Sequence, residues 1–154
     1  VGLGPVPWLE SADWVLPSLV MEATWAAAGG TVIIYLAALT TVPQELYDAA
    51  SADGAGVLGK VWHVTLPHLR PVLLITLILQ IIGTAQVFLE PYLFTGGGPS
   101  HASLTLLLLI YEYAFGSTTG GGDYGPATAL SLMMAVGLAL LSWAYFRLTR
   151  GWSD

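Results

Sequence analysis

An all-α, polytopic transmembrane bundle is the fold class that this sequence predicts, on three observations. Of its 154 residues, 55% are hydrophobic and only 9% charged, whereas soluble domains carry about 25% charged residues. Three stretches are each apolar over about 20 residues, the helical length that crosses a hydrocarbon core of about 30 Å. All four basic residues fall on one side of the alternation that three spans create.

The elements follow in order. Residues 1–21 read as an extracytoplasmic or interfacial segment, where Trp8 and Trp14 suit an aromatic belt. Residues 22–42, EATWAAAGGTVIIYLAALTTV, form the first span, and residues 72–94, VLLITLILQIIGTAQVFLEPYLF, the second. Residues 95–125 form an extracytoplasmic loop. Its apolar run at 104–115 is too short to span and suits a re-entrant or interfacial helix. Residues 126–146 form the third span and 147–154 a cytoplasmic tail. Lys60 and Arg70 lie between the first two spans, and Arg147 and Arg150 follow the third. The positive-inside preference therefore makes residues 43–71 a cytoplasmic loop. Glu10, Asp13 and Asp123 lie on the opposite side.

Composition excludes several functions. A net charge of −6 gives no basic footprint for nucleic acid. The absence of cysteine removes disulfides, thiolate metal sites and cysteine nucleophiles. His63 and His68 have no third ligand nearby, so no metal site is expected. His101 between Ser100 and Ser103 has neither a nucleophile elbow nor a positioned acid beside it. With no paired catalytic groups at one depth, the chain is not expected to be an enzyme. It opens at Val1 without a basic n-region or cleavage site, and is expected to be a piece of a longer chain.

The cytoplasmic loop contains DGAGVLGKV, Asp53–Val61, in which two nucleotide-binding patterns overlap. A phosphate loop follows a buried strand and ends in Ser or Thr to ligate magnesium. Here Val61 occupies that position, and PQELYDAASAD before it reads as a polar helix. Both nucleotide readings fail on the missing strand. The loop reads instead as two short helices joined at glycines. Pro43 suits a first turn, Glu45 and Asp48 favour the N-terminal half, and Gly54 suits the stop. Val57, Leu58, Val61 and Trp62 give the second helix an apolar face, and Thr65-Leu66-Pro67 is expected to end it before the next span. That face either meets a partner or packs on the ends of the chain's own spans.

The spacing in this loop resembles the signature of the inner-membrane permease subunits of binding-protein-dependent ABC importers: E-A-A, three residues, G, nine residues, I-x-L-P. This chain has Asp48-Ala49-Ala50, then Gly54, then Val64-Thr65-Leu66-Pro67, departing mildly in Asp48 for Glu and Val64 for Ile. VPQELYDAASADGAG, TLPHLRPVL, TGGGP, IYEYAF and YGPATALS resemble the carbohydrate branch, in the right order. The resemblance implies a fold like the C-terminal half of a type I ABC importer permease, in a bacterial inner membrane. It implies a permease for a sugar or related polyol, with a non-sugar solute or a non-transporting scaffold as alternatives. It also implies that Asp48, Ala49, Ala50, Gly54, Leu66 and Pro67 couple the chain to a cytoplasmic ATPase subunit. ATP and magnesium would be bound by that partner, with no cofactor in this chain. A second permease subunit, an extracytoplasmic solute-binding protein and membrane lipid complete the implied partners.

A polar residue inside a span usually faces the bundle interior or an aqueous cavity. Gln80 and Thr84 share a helix face near the middle of the second span, with Gly83 and Val87 beside them. Gln80, Gly83 and Thr84 are the candidates for a solute pathway, because neutral amides and hydroxyls suit sugar hydroxyls; interhelical hydrogen bonding is the alternative. Gln86 and Glu90 share another face toward the outer end. Thr24, Gly29, Gly30 and Thr31 in the first span suit helix packing.

Overall fold

The computed structural model describes residues 6–116 and 122–149. Arg150 and most of the TTGGGD turn lie outside the described residues. Every described element is helical: α1 (Ala12–Leu39), α2 (Gln44–Ala52), α3 (Val57–Lys60), a π-turn (Val61–Thr65), α4 (Leu66–Ala85), α5 (Leu89–Phe94), α6 (Leu106–Phe115) and α7 (Tyr124–Thr149). Three stretches are long and apolar enough to cross a membrane: Ala12–Leu39, Val57–Phe94 and Tyr124–Thr149.

Helix α1 begins before the apolar run at residue 22, because polar residues start it. The Ser11 side chain accepts the Asp13 N–H at 3.3 Å, and Asp13 complements the positive end of the helix. Trp8 and Trp14 meet edge-to-face at 5.8 Å beside this start. At the far end Thr40 and Thr41 return their hydroxyls to the Ala37 and Ala38 carbonyls, both at 2.7 Å, and Pro43 leads into α2.

The expected stop at Thr65-Leu66-Pro67 is absent: the chain stays helical from Val57 to Ala85. In an ordinary α-helix the Pro67 ring would crowd the carbonyl of His63 four residues earlier. The π-turn widens the helix just before it, with the Leu66 N–H reaching back five residues to the Val61 carbonyl. Leu66 and Pro67 thus lie in the first turn of α4 rather than at a helix end.

A break does occur later, within the expected second span. Helix α4 ends at Ala85, and Phe88 leaves helical geometry before α5 starts. Pro91 is the cause. It has no N–H to offer the Val87 carbonyl four residues back, and the Thr105 hydroxyl donates to that carbonyl instead, at 2.8 Å. The same Thr105 oxygen accepts the Leu108 N–H at 3.4 Å and caps α6. The loop between α5 and α6 turns on Gly97, whose φ of +84° favours glycine. A Cβ there would meet Leu104 at 3.2 Å and Leu108 at 3.4 Å.

Helices α1 and α7 both pack on α4. Tyr35 meets Thr76 at 2.7 Å, and the Gln80 amide donates to Thr31 at 3.4 Å, so α1 runs antiparallel to α4. Tyr145, near the end of α7, donates to the Leu74 carbonyl in the first half of α4 at 2.6 Å, and the start of α7 joins α6, which begins beside the end of α4, so α7 is antiparallel as well. Lys60, Arg70 and Arg147, the described Lys and Arg residues, therefore sit at one end. Val15 and Leu108 are enclosed, but most large apolar side chains of the three long helices are exposed. Such a surface suits lipid or further helices. Gly29 and Gly30 face open space, so the packing expected of them is not with the described part of the chain.

The Thr76 hydroxyl donates to the Val72 and Leu73 carbonyls of its own helix, at 2.9 and 3.1 Å, so Tyr35 supplies the proton between the two. Tyr35→Phe leaves Thr76 satisfied and removes one interhelical bond. The expected loss is about 0.6–2 kcal/mol. Thermal unfolding of the purified full-length protein, in a double-mutant cycle with Thr76→Val, should return a coupling energy in that range.

Candidate functional sites: a helical hairpin and a lateral groove

The hairpin is built by α2 and α3. Glycine terminates α2 through two backbone bonds: the Gly54 N–H to the Ser51 carbonyl at 3.0 Å, and the Ala55 N–H to the Ala50 carbonyl at 2.9 Å. This is a Schellman arrangement, which requires a left-handed residue, and Gly54 has φ +79°. Beyond its two chain neighbours, no atom of the described residues lies within 4 Å of a Cβ built on Gly54, so its need for glycine is conformational. Asp48 is exposed and accepts a hydrogen bond from the Gln44 amide at 3.2 Å. Ala49 is exposed beside it and Ala50 half-buried. Tyr47 braces the hairpin by hydrogen-bonding Thr65 in the π-turn at 2.9 Å.

The α3 face does not pack on the described spans. Val57 is 83% exposed and Leu58 73%, and Trp62 is exposed one turn further on. A small, apolar, knob-like surface therefore projects from the end of the bundle that carries Lys60, Arg70 and Arg147.

The groove lies between α1 and the α4–α5 segment, with a volume of about 570 Å³. Gln80, Gly83 and Thr84 line one wall, and Ala27, Ala28 and Thr31 the other. Gln80 spans the two walls through its bond to Thr31, so it is both a groove residue and an interhelical donor. The Thr84 hydroxyl has no hydrogen-bond partner among the described residues. Neutral polar groups on an apolar background can orient a solute through its own donors and acceptors.

Two further polar groups reach this groove. Glu90, two helical turns beyond Gly83, has a half-buried side chain that lines it with Pro91. Thr105 joins from the start of α6. The readable signal was an acid before a proline in an otherwise apolar run, since acids are rare inside spans. Thr24 also lines the groove rather than serving packing alone. Among the described residues no group of three or more His, Asp or Glu could hold a metal ion.

Comparison with known proteins agrees with this fold. Residues 4–154 match the family described as binding-protein-dependent transport system inner membrane component. The lactose transport system permease protein LacF of Rhizobium radiobacter is 36% identical, over 95% of this chain and 49% of its own length. The trehalose/maltose transport system permease protein MalF of Thermococcus litoralis is 34% identical, over 97% and 49%. The sulfoquinovosyl glycerol transport system permease protein SmoG of Agrobacterium fabrum is 31% identical, over 97% and 47%. The chain thus spans about half the length of the curated relatives it matches. In the crystal structure of a bacterial alginate ABC transporter in complex with alginate pentasaccharide-bound periplasmic protein, one chain aligns with a TM-score of 0.83 at 25% identity, over 97% of this chain and 51% of that one. With the family pattern running through nearly every residue, and the same all-helical arrangement in a solved transporter, this chain belongs to the inner membrane components of binding-protein-dependent transport systems.

Proposed function

We propose that the protein containing this chain is the permease subunit of an ATP-binding-cassette importer for a saccharide or related polyol, in a bacterial inner membrane. The observation that carries the reading is the unbroken helical path from Val57 to Ala85. It joins the exposed hairpin to the groove residues, with Lys60 and Gln80 roughly 30 Å apart along one rod at 1.5 Å per residue. A push on α3 is therefore carried along one continuous helix to Gln80, Gly83 and Thr84.

In this reading, Asp48, Ala49, Ala50 and Gly54 with the α3 face dock into a separate cytoplasmic ATPase subunit, which binds ATP and magnesium. Leu66 and Pro67 begin the rod that carries the motion. A second permease subunit completes the pathway, an extracytoplasmic binding protein delivers the solute, and nucleic acid has no role. The names of the relatives favour a saccharide, and the neutral groups of the groove suit one. The chain's part is alternating access rather than chemistry: rotation of α4 opens the groove to one side and closes it to the other.

Orientation follows from the basic end of the bundle. In the full-length protein, a membrane-impermeant thiol reagent should label Ser51→Cys only from the cytoplasmic side and His101→Cys only from outside. Labelling of Ser51→Cys in intact cells would sink both the orientation and the coupling role.

For the hairpin, Asp48→Lys and Gly54→Val are expected to abolish uptake or leave ATP hydrolysis uncoupled from it. Asp48→Lys reverses charge at the docking surface, and Gly54→Val opposes a positive φ. Lys60→Ala should keep most uptake, because Lys60 holds no phosphate here. Uptake, ATPase rate and co-purification of the ATPase subunit distinguish these outcomes. An inactive Lys60→Ala beside two normal variants would reverse the assignment.

For the groove, Thr84→Val breaks no bond within the described chain, so its effect reports on the solute. It should lower transport efficiency by roughly 5- to 150-fold, the equivalent of about 1–3 kcal/mol for a lost hydrogen bond, with thermal stability unchanged. Gln80→Leu should lower both, since it also releases Thr31. Unchanged uptake kinetics in both variants would leave these residues a purely architectural role.

A further inference from the structure

We propose that Glu90 gives the groove a charge filter, so that it accepts neutral, hydroxyl-rich solutes and rejects anionic ones. Glu90 is the one ionisable group among the described residues that line the groove, and its carboxylate has no cation or hydrogen-bond donor among the described residues. The remaining polar lining is neutral: Thr24, Thr31, Gln80, Thr84 and Thr105. Lys60, Arg70 and Arg147 belong to the other end of the bundle. A carboxylated or sulfonated sugar entering here meets like charge and, among the described residues, no cation. A neutral sugar meets an acceptor for its hydroxyl protons. At an effective dielectric of about 20, two unit charges about 7 Å apart alter an equilibrium or rate roughly 10- to 100-fold, and low-dielectric walls preserve that field from screening.

The backbone that carries Glu90 is fixed at the groove: the helix breaks after Ala85, and Thr105 locks the break by donating to the Val87 carbonyl. This assignment rests on the groove being the solute path, and the test separates the two.

The sequence has no cysteine, so a single thiol can report the local field without knowledge of the natural solute. The full-length permease, assembled with its ATPase in proteoliposomes and freed of other reactive cysteines, carries Thr84→Cys, or Thr24→Cys as a second reporter on the facing helix. Reaction rates are measured with three methanethiosulfonates: sulfonatoethyl (anionic), trimethylammonium-ethyl (cationic) and methyl (neutral). With Glu90 present the anionic reagent should react slowest relative to the neutral one. Glu90→Gln should raise that anionic-to-neutral ratio roughly 10- to 100-fold, and Glu90→Asp should not. A ratio that changes less than about twofold at both reporters, or thiols that react with none of the three reagents, would overturn the filter. If the ratio shifts as expected but full modification of either cysteine leaves uptake intact, the filter stands and the solute-path reading falls.

Discussion

A backbone carbonyl with no partner costs several kcal/mol in hydrocarbon, where no water can take the place of a missing N–H. The proline at position 91 creates such a carbonyl at Val87, and the architecture around the groove follows from how it is satisfied. Thr105 must approach from the chain that follows α5, which fixes the start of α6 against the end of α4. The turn between them must then be tight. Gly97, closely surrounded by Leu104 and Leu108, and the Thr95–Ser103 contact at 2.6 Å provide that turn. One hydroxyl therefore satisfies a carbonyl, caps a helix and closes one end of the groove.

Pro67 and Pro91 show two solutions to the same chemical deficit. Before Pro67 the helix widens into a π-turn and continues. Before Pro91 it breaks, and a side chain from elsewhere fills the gap. The first outcome preserves helical continuity from the hairpin into α4, and the second ties the start of α6 to the end of α4. Tyr35, Thr76 and Tyr145 stitch the long helices by hydrogen bonds rather than by large apolar contacts. That is the economy expected where lipid competes equally well for leucine and isoleucine surfaces.

Much of this was legible in the residues. The three long helices follow from apolar length, the glycine stop at Gly54 from its place after a polar helical run, and the apolar character of the α3 face, though not its exposure, from the spacing of Val57, Leu58, Val61 and Trp62. The spacing from Asp48 to Pro67 led to the family that the comparisons then showed. What could not be read was what each proline would do. A proline in an apolar run is compatible with a stop, a kink or a break, and the choice depends on which distant group can serve the freed carbonyl. The sequence alone therefore reads Thr65-Leu66-Pro67 as a stop, and puts Glu90 with Gln86 on a face apart from that of Gln80 and Thr84. Helix α1 began earlier than hydrophobicity indicated, because a capping serine and an aspartate, invisible to apolar length, set its start.

The π-turn has a consequence for the phase between the two ends of the rod. Each residue in an α-helix turns the chain by about 100°, and the wide turn at Val61–Thr65 absorbs a fraction of such a step. The bearing of the α3 knob relative to the cleft wall is thus set like the angle between two gears on one shaft. Inserting or deleting one residue between Gly54 and Pro67 would preserve both ends locally and still turn one against the other. The length of that interval, more than the identity of its residues, is what a grafted loop from another permease would have to match.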